Sequence, residues 1–126
     1  MQKHLEELKL IGPHLTERDF ELLARAYLFA EEAHGGRKRL SGEPHLTHSV
    51  ETAKILAELK MGGETVAAGL LHDTIDIAGV SAQVLNKEFG EPIATLLSNF
   101  SKLDPLKYQG TERYAENLRK LLMASA

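Results

Sequence analysis

The chain has 126 residues, enough for one domain with a modest core, and its 43% hydrophobic and 26% charged residues leave a net charge of -3. With a pI near 6.1 nothing suggests a dedicated nucleic-acid binder, and no apolar run approaches the ~20 residues a membrane span needs. With no cysteine there are no disulfides or thiolate metal sites, and the charged N-terminus has no signal-peptide core, so a soluble cytoplasmic protein is expected.

The pattern along the chain predicts an all-α bundle of about six to seven helices, forming a single domain over residues 1–126. The first helix spans residues 2–11, with Leu5, Leu8 and Leu10, and ends at Gly12-Pro13. Thr16 can cap the second, with Asp19 completing a capping box. That helix runs to about His34, its Phe20, Leu23, Ala24, Tyr27 and Ala30 recurring at spacings of three and four. Three glycines and a proline make residues 35–45, "GGRKRLSGEPH", a loop. Thr47 is expected to cap a helix through Lys60, stopped by Gly62-Gly63, and a further helix is expected from about Glu64 to Ile77. Ser81 caps another, which stops at Gly90. Pro92 suits the first turn of the next, through roughly Leu103. Residues 104–110 read as a loop, and Thr111 opens a last helix. That helix ends on small apolar residues, as a chain cut inside a larger domain would, or as a frayed natural end would.

The stretch "AAGLLHDTIDIAG" sets His72 and Asp73 inside an apolar run. On one continuous helix His72 and Asp76 share a face. Two helices joined by a tight Gly-Gly turn pack antiparallel, which brings His48 towards His72, Asp73 and Asp76. Two imidazoles and a carboxylate suit a divalent transition metal such as Mn²⁺, Fe²⁺ or Zn²⁺. The alternative is a hydrogen-bonded core histidine, and the buried carboxylate could be satisfied by an arginine as well as by a metal. His4, His14 and His34 lack such a setting and read as surface or loop residues. His45 adjoins the loop within reach of a ligand, though a plain loop role is the simpler reading.

Arg37, Lys38 and Arg39 precede Ser41-Gly42-Glu43-Pro44. Guanidinium groups bind phosphate in bidentate fashion and stack on flat rings, so this loop beside a metal would suit a nucleotide. A solvated charge run is the other reading, with Glu43 pairing inside the loop.

Together these pieces resemble the HD-hydrolase domain of the RelA/SpoT alarmone proteins. The matching stretches are "AYLFAEEAHGGRKRLSGEPHLTHSVETAKIL", "AAGLLHDTID", "FGEPIATLLSNFSKL" and "ENLRKLLMA", in family order over most of residues 20–124. A lone His-Asp pair is a weak signal. "R-x-S-G-E-P" with His48 four residues after the proline, and "LLHD" with its histidine 24 further on (72 minus 48), is a strong one.

The resemblance implies an all-α domain that removes the 3′-pyrophosphate of (p)ppGpp with Mn²⁺, followed in the intact family by a synthetase domain that makes (p)ppGpp. It implies His48, His72 and Asp73 as metal ligands and Arg39 as the residue stacking on guanine. Ser41 and Gly42 match the loop beneath the base, with Lys38 beside them as a nucleotide contact. Asp76 matches the first of two catalytic acids, shortened from glutamate. Ile77 stands where the second carboxylate is usual, and Leu40 where a basic residue is common. The family's fourth metal ligand, the aspartate of "D-R-L-H-N", would fall just past Ala126. On this resemblance the chain is an N-terminal part of a longer protein, incomplete at its C-terminus, and poorly active alone. The alternative, carried by Ile77, is a weakened HD domain that regulates the synthetase.

Overall fold

The computed structural model describes residues 2–36, 38, 42–76 and 78–101. It forms seven helices in this range: α1 (Gln2–Ile11), α2 (Glu17–His34), α3 (His45–Glu58), α4 (Gly63–Leu71), α5 (Asp73–Asp76), α6 (Ala82–Phe89) and α7 (Glu91–Ser101). No strand occurs among the described residues, so the all-α expectation holds. The expected helix from Thr111 lies outside them.

α4 is the axis of the bundle. Its sequence, GETVAAGLL, is apolar on nearly every side after the first turn, and Val66 through Leu71 are buried. A helix apolar all round must be wrapped, and α2, α3 and α7 pack around it. Small residues let them come close. A methyl on Gly69 would meet Leu56 Cδ1 at 2.8 Å and lie 3.6 Å from Ala53 Cα, so α3 rests almost directly on the α4 backbone. α1 packs on α2 and α3, burying Leu8. The α6–α7 pair docks through Phe89, edge-on to Phe29 at 5.4 Å, and through Arg25, which donates to Glu88 O at 2.7 Å.

Several boundaries follow the predicted chemistry. Thr16 Oγ1 accepts from Asp19 N at 3.1 Å while Thr16 N donates to Asp19 Oδ2 at 2.9 Å, a complete capping box. Gly35 ends α2 with φ 54, and Ser81 caps α6 by accepting from Val84 N at 3.2 Å.

Two helices differ from expectation. α3 starts at His45, not after Thr47. Pro44, at φ -61 and ψ 140, already takes the N-cap position, and Thr47 N donates to its carbonyl at 3.1 Å. The same helix ends at Glu58, because Lys60 turns left-handed (φ 64) and Lys60 N and Met61 N fold back onto Ala57 O and Leu56 O. The second difference is at "LLHDTID", where the expected continuous helix is interrupted at His72. There His72 Nδ1 bonds Gly69 O at 2.6 Å and Thr74 Oγ1 donates to Leu71 O at 2.7 Å. Side chains that bond carbonyls of the preceding turn compete with the backbone ladder, and the helix restarts as the short α5.

Candidate metal centre

The centre forms where the first turn of α3 meets the junction of α4 and α5. α3 and α4 pack antiparallel as the Gly-Gly turn predicts, and His48, His72 and Asp73 converge. One ligand atom from each lies within 4.8 Å of the others. His48 Nε2 is 3.9 Å from Asp73 Oδ2, and His72 Nε2 is 3.4 Å from Asp73 Oδ1. The imidazoles meet edge to face, with centroids 5.5 Å apart. All three residues are buried, at 7%, 4% and 4% exposure, among the leucines and alanines of α3 and α4.

The hydrogen bonding of His72 fixes what this group can do. A carbonyl only accepts, so the bond to Gly69 O puts a proton on Nδ1. In a neutral imidazole the Nε2 lone pair then faces the Asp73 carboxylate, two electron-rich atoms 3.4 Å apart in an apolar setting. A cation shared between them, a proton or a metal ion, relieves that repulsion. A histidine whose second nitrogen donates to a backbone carbonyl is also the usual arrangement of a metal ligand. The donor set therefore fits a divalent transition metal.

The remaining predicted residues are described less fully. Asp76 is the last residue of α5, and its side chain is not among those described. His72 keeps helical dihedrals (φ -59, ψ -31) between α4 and α5, and the expected shared face of His72 and Asp76 turns on a side chain outside those described. Lys38 and Gly42 are exposed on the loop, Gly42 at φ 91, and Lys38 pairs antiparallel with Pro44 at the loop stem. Arg37, Arg39, Leu40, Ser41 and Ile77 lie outside the described residues.

The other histidines divide. His14 is exposed as expected, with Nε2 2.8 Å from Met61 O. His4 is half-buried rather than free on the surface, 3.0 Å from the Tyr27 hydroxyl. His34 corrects its surface reading outright: it is 1% exposed and stacks on His45. The signal was present in the sequence, because Leu23, Tyr27, Ala30 and His34 continue one stripe at spacings of four, three and four, and the polar ring masked it.

The HD domain family model matches residues 26–126, and the chain belongs to that family of helical proteins. Within it, the chain resembles the RelA/SpoT proteins. It is 45% identical over 117 residues to the bifunctional (p)ppGpp synthase/hydrolase SpoT of Escherichia coli K12, covering 92% of this chain and 17% of that protein. It is 40% identical over 121 residues to the guanosine-3′,5′-bis(diphosphate) 3′-pyrophosphohydrolase of Aquifex aeolicus, covering 96% of this chain and 17% of the relative. To a GTP pyrophosphokinase of Streptomyces coelicolor it is 39% identical over 114 residues, 90% of this chain and 13% of the other. The chain thus spans less than a fifth of the length of these relatives.

Proposed function

We propose that this chain is the metal-dependent hydrolase domain of a RelA/SpoT-type alarmone protein, which removes the 3′-pyrophosphate of (p)ppGpp in the cytoplasm. The observation that carries the reading is the buried His48, His72 and Asp73 group, with the Nδ1 proton of His72 held by Gly69 O. These three residues would hold Mn²⁺ or a similar ion. Such an ion supplies a bound water of lowered pKa and polarises a phosphoryl oxygen. Asp76 would take the proton of the attacking water. Lys38 and Arg39 would bind phosphate, Arg39 stacking on guanine, with Ser41 and Gly42 beneath the base. A downstream synthetase domain of the same protein would be the intramolecular partner.

The test is Mn²⁺-dependent release of pyrophosphate from ppGpp by the natural full-length protein. Activity equal to that of a His72→Ala control would refute the reading.

Ile77 supports a second reading, in which the domain binds metal and nucleotide but turns over slowly and restrains the synthetase. Ile77→Asp separates the two. A positioned general base contributes roughly a hundredfold or more, so on this second reading Ile77→Asp raises hydrolysis by at least about tenfold. No change means that Asp76 suffices.

A further inference from the structure

His34 and His45 stand at the two ends of the basic loop, one closing α2 and the other opening α3. Their rings are nearly parallel (16°), with centroids 5.6 Å apart, and His34 is fully enclosed. The stem between them is drawn together further by the pairing of Lys38 with Pro44.

The first turn of α3 needs such an anchor. Its N-cap is Pro44, with no capping side-chain hydrogen bond, and a first turn without such a cap frays unless packing holds it. Yet His48 is the fourth residue of that helix, and its ring must meet His72 at 5.5 Å and Asp73 at 3.9 Å. A ligand in a fraying turn would hold no fixed geometry. We infer that the stacked His34–His45 pair is a positioning pair for the metal centre. It seats the first turn of α3 on the last turn of α2 and so sets His48 against His72 and Asp73. Neither ring need touch the ion; what they supply is a flat stacking surface. The inference rests on the reading of the site as a metal centre.

The experiment titrates Mn²⁺ into the natural full-length protein, read by electron paramagnetic resonance, with the melting temperature followed in parallel. Wild type is compared with His45→Ala, His45→Gln and His45→Phe. Half-buried His45 is the safer position to change, and the glutamine variant stands in should the alanine variant not fold. Loss of the ring is expected to weaken Mn²⁺ binding about tenfold, as loss of a ligand's support commonly does. Phenylalanine, which keeps a stacking ring, is expected to stay within about threefold of wild type. Wild-type affinity in His45→Ala or His45→Gln overturns the inference. So does an equal loss in His45→Phe, or a loss that tracks melting temperature across all the variants. A wild-type protein that binds no Mn²⁺ refutes the metal reading itself and this inference with it; intact binding that ring loss leaves unchanged refutes this inference alone.

Discussion

Two polar clusters adjoin the same core. The inner one is His48, His72 and Asp73, buried where α3 meets the α4–α5 junction. The outer one ties α1 to the bundle: His4 to Tyr27 on α2, and Glu7 to Lys54 on α3, with Glu51 Oε1 3.5 Å from the same ammonium. Apart from the buried Tyr27, the outer groups are partly exposed, and they are partnered by opposite charge or hydroxyl, so they steady the helix. The inner group sets a carboxylate against two imidazoles away from water, an arrangement that costs folding free energy unless a cation completes it. The two clusters thus differ in burial and in partner, and substitutions in each should leave the other's readout alone.

His72→Ala gives the largest expected effect. Removing one of three ligands should lower Mn²⁺ affinity by at least about a hundredfold, while the metal-free melting temperature should hold or rise because a buried polar ring is gone. Calorimetry with and without Mn²⁺ reads both. A large fall in metal-free stability would mean that the inner cluster is structural after all.

Gly63→Ala breaks the frame without touching the site. A methyl there would fall on the Asp19 carboxylate, with Asp19 Cβ at 2.8 Å, and Asp19 is half of the α2 capping box. Overpacking of this kind costs about 1–3 kcal/mol. Chemical denaturation should show the loss, and Mn²⁺ affinity of the folded protein should be unchanged. Affinity falling in step with stability would show that the two regions are coupled.

The same division explains what could be read in advance. Thr16, Ser81 and Gly90 carry their chemistry locally, and α2, α6 and α7 begin or end where those residues stand. The convergence of His48 with His72 and Asp73 was also legible, since a Gly-Gly turn fixes an antiparallel return and the apolar run marks the buried helix. The break at His72 was not. It depends on which carbonyls of the preceding turn the His72 and Thr74 side chains bond, and the apolar periodicity does not record that choice. The enclosure of His34 is legible in its place on the Leu23, Tyr27 and Ala30 stripe, whereas its stacking on His45 is set by the α2–α3 junction, which neither residue's neighbours in sequence specify.

Lys60→Gly should have the opposite sign. Lys60 holds the left-handed position (φ 64) that closes α3, where a β-carbon is crowded and glycine is not. Glycine there should stabilise the protein by up to about 1 kcal/mol, seen as a higher denaturation midpoint, with Mn²⁺ affinity unchanged because the site lies at the far end of α3. A lower midpoint would mean that Lys60 makes a contact worth more than the backbone strain it carries.

The smallest effect is a pH dependence confined to the outer cluster. Burial holds the His4 imidazole below its ordinary value of 6.5, with the N-terminus, Lys54 and Lys3 adding to the shift and Glu7 opposing it. The unfolded chain therefore binds that proton more readily than the folded one. The stability at stake is whole above pH 6.5 and declines as the pH falls from there to the folded-state value. Glu7 acts lower down. Its hydrogen bond from Lys54 holds the carboxyl below the ordinary 4.5, so its contribution is present above that pH and is lost as the pH falls through the depressed value. Acid should loosen α1 in two stages, which hydrogen exchange of the α1 amides can follow from about pH 7.5 to well below the ordinary carboxylate range. His4→Gln should flatten the first stage and Lys54→Met the second. Were His4→Gln to leave the first stage in place, the protons responsible would lie outside the outer cluster, and the separation of the two clusters would fail at the point where it is most easily measured.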